Sequence, residues 1–134
     1  MSVTHFRELE VWQMAMELAR SIYELVAEFP RDERFGLTAQ LQRAAVSIPS
    51  NIAEGNARAT TRDYARFISQ ACGSTAELQT QLLLAGELKL ADSAQIDRAL
   101  DLCERVSKML RRLHQALIAK LEFGSPVPGP RSRS

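Results

Sequence analysis

LTAQLQRAAVSIPSNIAEGNAR, from Leu37 to Arg58, reads as one amphipathic helix with two distinct faces. Leu37, Leu41, Ala45, Ile48 and Ile52 recur at steps of three or four and line an apolar face. Gln40, Arg43, Ser47, Asn51, Glu54 and Arg58 recur in the same way and line a polar one. A merely solvated helix face favours Lys, Glu and Gln, whereas Ser and Asn compete for backbone hydrogen bonds and are poor helix formers. The polar row therefore has one of two roles. Either it bonds internally and fixes a helix register or a subunit contact, or it is a ligand or nucleic-acid site. Pro49 falls inside this helix, where its ring removes a donor and crowds the carbonyl of Ala45. The expected result is a kink, with a break between Ser47 and Ser50 as the alternative.

Working outward, three more helices follow from apolar spacing. Before it, Val11, Ala15, Leu18, Ile22, Leu25 and Phe29 alternate steps of four and three, the seam of a bundle helix over 6–29 that Pro30 ends. The central helix is expected over 38–54, with Thr38 as N-cap and Gly55 as the left-handed residue that closes it. The third, over 61–89, opens at Thr60 or Thr61 with Asp63 in its first turn. Gly73 in its middle predicts a close helix approach. The fourth, over 93–122, opens near Asp92 with Gln95 in the capping-box position and carries Ile96, Ala99, Cys103, Val106, Leu110, Leu113 and Leu117. Residues 1–123 thus form one domain, and the Pro-, Gly- and Ser-rich tail 124–134 is expected to be disordered. Short links favour an all-α, antiparallel, up-down-up-down four-helix bundle. In that hairpin geometry Glu77 faces Arg43 as a partly buried charge pair continuing the polar row, with Gln70 near Ser47.

Three stretches carry a resemblance: FRELEVWQMAMELARSIYEL at Phe6 to Leu25, FPRDERFGLTAQLQRAAVSIPSNIAEGNAR at Phe29 to Arg58, and YARFISQACGSTAEL at Tyr64 to Leu78. Together they resemble the family of four-helix-bundle proteins named after the 23S rRNA intervening sequences that encode some members. A related branch is the accessory proteins of diversity-generating retroelements. The resemblance implies a small bundle, a ring-shaped homo-oligomer with a pentamer favoured, basic surfaces associated with RNA or DNA, and no enzymatic activity. The biochemical role of most members is unknown.

Composition and motifs narrow the chemistry. With 134 residues and 46% hydrophobic content the chain supports a single core. No apolar run spans a bilayer, and Glu8, Glu10, Glu17 and Arg20 interrupt any leader-like segment, so a cytoplasmic location without membrane contact is expected. Cys72 and Cys103 form no CxxC pair and read as reduced core thiols. A di-iron bundle site needs Glu-x-x-His pairs, but Arg111 stands three before His114 and Ser2 three before His5. Glu54 and Glu77 lie at different levels of the hairpin, and neither Ser47 nor Ser50 has a histidine nearby. No catalysis, cofactor, metal or small-molecule substrate is expected.

Charge is unevenly placed although the net is only +1. Helix one is acidic, while Arg105, Lys108 and Arg112 share one face of helix four and Arg58, Arg62 and Arg66 cluster around the start of helix three. Both clusters are candidate nucleic-acid contacts. The alternative is that basic helix four meets acidic helix one, within the bundle or across a subunit boundary. Phe6, Leu9 and Trp12 exceed what one seam can absorb and are the candidate subunit interface, with core packing of Trp12 as its alternative. The reading is an oligomeric, non-catalytic scaffold that binds nucleic acid, or else a purely protein-binding or structural oligomer.

Overall fold

A computed structural model describes residues 5–123, and the tail expected to be disordered lies outside them. Four α-helices make up the fold, with no strand among the described residues: α1 Glu10–Val26, α2 Leu37–Asn56, α3 Thr61–Glu87 and α4 Ser93–Phe123. Two short 3-10 turns, Phe6–Glu8 and Arg31–Glu33, precede α1 and α2.

Each helix buries an apolar stripe. Val11, Ala15, Leu18, Ile22 and Leu25 of α1 meet Leu41, Ala45, Ile48 and Ile52 of α2 in one core, with Ile68, Ala71, Leu78 and Leu82 of α3 and Ile96, Ala99, Cys103, Val106 and Leu110 of α4. Fully burying one such Leu or Ile is worth roughly 1.5–3 kcal/mol, so the core dominates the favourable side of folding. α2 packs on both α1 and α3, and α4 on both α3 and α1.

The first helix is shorter than its spacing predicts. Leu9 is extended (φ −78°, ψ 125°) and separates α1 from the 3-10 turn, where Gln13 Nε2 donates to the Arg7 carbonyl at 2.8 Å. α2 starts at Leu37 after Gly36 with no side-chain cap, so Thr38 is not its N-cap. It runs unbroken through the buried Pro49, which excludes the break. Asn51 Nδ2 donates back to the Ser47 carbonyl at 2.8 Å in the turn around that proline.

The two glycines reverse their expected roles. Gly55 is not a left-handed terminator: it is helical and buried, and α2 continues to Asn56. A Cβ there would lie 2.8 Å from Phe67 Cβ and 3.1 Å from Tyr64 Cδ1, so α2 and α3 approach each other tightly here. Gly73 makes no close approach, because a Cβ at that position meets nothing within 4 Å. Thr60 caps α3 as expected, its Oγ1 accepting from the Asp63 amide at 3.1 Å. Gln95 serves a different end from a capping box, its Nε2 donating across to Glu28 Oε2 on the chain after α1 at 3.1 Å.

Candidate functional site

The polar row of α2 divides into two parts. Ser47 and Asn51 are half-buried, and Ser47 Oγ shares a short hydrogen bond with Ser74 Oγ of α3. Gln70, the expected neighbour of Ser47, is exposed, because Ser74 lies one helical turn nearer to it. Gln40, Arg43, Glu54 and Glu77 are exposed. Arg43 and Glu77 line one recess with Gln40, Ala44 and Ser47, about 440 Å³ in volume, but form no ion pair. The partly buried pair is therefore absent, since on the outer face both charged ends reach water. Inner Ser47 and Asn51 are spent on bonds inside the chain.

At the α2–α3 turn the basic residues gather around an aromatic ring. The guanidinium carbons of Arg58 and Arg66 stand 4.7 and 4.6 Å from the centroid of the Phe67 ring. Phe67 is buried where α3 meets α2 at Gly55, and both heads lie over its ring at cation–π distance. Arg58 also pairs with Glu54 at 3.3 Å and Arg66 with Asp63 at 3.5 Å, both exposed and one helical turn apart. Such surface pairs are worth about 0–1 kcal/mol and are screened by salt, so a phosphate can replace the carboxylate. Arg62 is exposed and has no ion pair among the described residues. The ring's role was not read from the sequence. Its signal lay in the adjacency of Phe67 to Arg66, but Arg58 reaches it across the α2–α3 turn.

On α4, Arg105, Lys108 and Arg112 line one groove with Glu10, Met14 and Met109, about 270 Å³ in volume. Lys108 is 4.0 Å from Glu104 on its own helix, while Arg105 and Arg112 have no ion pair among the described residues. Arg111 points elsewhere and donates to Ser107 Oγ at 2.7 Å.

Phe6, Leu9 and Trp12 are each half-buried. Phe6 meets Trp12 edge to face, with centroids 5.2 Å apart, and Leu9 and Trp12 pack against the core. Trp12 also opens onto an α1–α2 groove of about 340 Å³ with Met16, Ala19, Val46, Pro49 and Ala53.

Neither thiol forms a disulfide. Burial pushes Cys103 up to about 12, with Glu104 adding to the shift. Its Sγ donates to the Thr75 carbonyl at 3.5 Å. Cys72 is half-buried and is raised by burial, with Arg111 opposing. Both are poor thiolates at neutral pH, and hence poor nucleophiles. No group of three or more His, Cys, Asp or Glu among the described residues is placed to hold a metal ion, and no helix is long and apolar enough to cross a membrane.

These features define a small all-α protein of four helices whose cations gather at the α2–α3 turn and along α4. The chain belongs to the 23S rRNA-intervening sequence protein family, whose model matches residues 7–112. In structure it is similar to a protein of unknown function from the S23 ribosomal protein family of Bacteroides thetaiotaomicron, solved at 1.70 Å. The TM-score is 0.71 at 19% identity, covering 78% of this chain and 98% of that one, a likeness of fold. No curated protein matches the chain.

Proposed function

We infer that this chain is a non-catalytic, cytoplasmic scaffold that associates with itself and contacts nucleic acid through its basic residues. The observation that carries the reading is the pair of guanidiniums held on Phe67 beside the unpaired Arg62. Arg105, Lys108 and Arg112 add a second row. An up-down-up-down antiparallel order is supported by cross-helix partners that step backward as the chain steps forward. Ser47 meets Ser74 while Asn56 meets Tyr64, and Glu28 meets Gln95 while Glu10 shares a groove with Arg112. In that order the start of α3 and the second half of α4 lie toward one end, with the α4 row in the α1–α4 seam and the Phe67 cluster on the α2–α3 side. Fixed guanidiniums suit phosphate, and a pre-held head loses less entropy on binding. A ring-shaped assembly, with five copies favoured by the family resemblance, would repeat the cluster and raise the local potential.

A protein-only oligomer is the second reading. It is favoured by the apolar α1–α2 groove beside Trp12, whose walls Met16, Ala19, Val46 and Pro49 leave little for a phosphate to contact.

Fluorescence anisotropy of labelled structured RNA and single-stranded DNA against nuclease-treated protein, from low to physiological salt, decides between them. Expected is binding with a steep salt slope that weakens in Arg58→Ala/Arg62→Ala/Arg66→Ala and in Arg105→Ala/Lys108→Ala/Arg112→Ala. No binding at micromolar protein leaves the protein-only oligomer.

A further inference from the structure

The groove that holds the α4 cations does not end at Arg105. Arg105 also lines a second groove, about 360 Å³, together with Glu17, Glu24, Arg98 and Asp101. The two grooves join at this residue and run along the α1–α4 seam. One wall carries Glu10, Glu17 and Glu24, and the other carries Arg112, Lys108, Arg105 and Arg98, with Asp101 as the one acid among them. Each step of seven along α1 is matched by a step of seven back along α4, about 10 Å per step. Two heptad rows of opposite sign thus stand face to face, the arrangement by which paired helices set partner and orientation.

Yet the rows do not close. None of the three glutamates and three arginines forms an ion pair with any described residue, and all six are exposed. The carboxylates share the grooves with the cations, so their field opposes the cations' own, but they make no contact that holds them. A phosphate chain arriving at Arg105 and Arg112 meets the α1 carboxylates across the groove, and like charges brought together cost affinity.

We propose that Glu10, Glu17 and Glu24 form a built-in electrostatic screen that attenuates nucleic-acid binding by Arg105, Lys108 and Arg112. The proposal rests on the nucleic-acid reading above and regulates that same row. The screen is intramolecular, so it acts at every protein concentration, and it fades as salt shortens the reach of the α1 charges.

The test compares two variants with the same change in net charge. In one, Glu10→Gln/Glu17→Gln/Glu24→Gln removes the screen. In the other, Asp32→Asn/Glu33→Gln/Glu87→Gln removes three acids that line neither groove. Binding of labelled single-stranded DNA and structured RNA is followed by anisotropy at two salt concentrations. Removing the screen is expected to tighten binding by about tenfold near physiological salt, and the second variant to gain less than a third of that. Equal gains would reduce the effect to net charge and overturn the proposal. No gain without the screen, while Arg105→Ala/Arg112→Ala still weakens binding, would overturn the screen and leave the nucleic-acid reading standing. No binding by any variant at low salt would remove both. If circular dichroism shows that the triple glutamine variant is unfolded, Glu17→Gln alone, opposite the central Arg105, carries the test with an expected gain of about threefold.

Discussion

Gly55 and Gly73 show how the same residue type is used in opposite ways within one pair of helices. At Gly55 an added methyl would meet Phe67 and Tyr64, so Gly55→Ala is expected to destabilise the fold by about 2 kcal/mol through overpacking. At Gly73 the space is open, and Gly73→Ala is expected to stabilise by about 0.5–1 kcal/mol by restoring helix propensity. Urea unfolding followed by circular dichroism measures both, and shifts of the same sign in the two midpoints would contradict the assignment. The sequence holds no local signal that distinguishes these glycines, because whether the space above each is filled or open is decided by where another helix lies. The same limit applies to Arg43 and Glu77. Hairpin register brings them to one recess, but whether a long charged side chain turns inward or out to water depends on packing at the rim.

Among elements, what was legible depended on the range of the interaction. The apolar stripes read for α1, α2 and α4 became core apart from Leu37 and Leu113, which are half-buried at its edge, since a period of three and four is a property of the helix itself. The Thr60 cap was legible for the same reason, its partner being three residues away. Replacing Thr60 with Ala is expected to cost about 1 kcal/mol and to fray the first turn of α3, read as lost amide protection at Asp63 in hydrogen exchange. Ends set by distant partners were not legible. Gln95 bonds Glu28 across the seam, and α2 begins without a side-chain cap. Pro49 passes through α2 because burial against the core offsets the lost donor.

For the molecule as a whole, four helices and one core follow from the chain's periodicity, whereas the candidate site was legible only in outline. The two cation clusters can be read as charge runs, but their anchoring on Phe67 and the carboxylates across the α4 groove arise from register between separate helices. Assembly belongs to this scale. Trp12→Ala is expected to lower the mass seen by light scattering coupled to size exclusion before it lowers helicity, and unchanged mass with intact helicity would argue against Phe6, Leu9 and Trp12 as a subunit contact. Trp12 also has a practical consequence. It is the chain's one tryptophan, half-buried at the mouth of the α1–α2 groove and edge-on to Phe6. Its emission spectrum is therefore a label-free optical reporter of whether that groove is wet or covered.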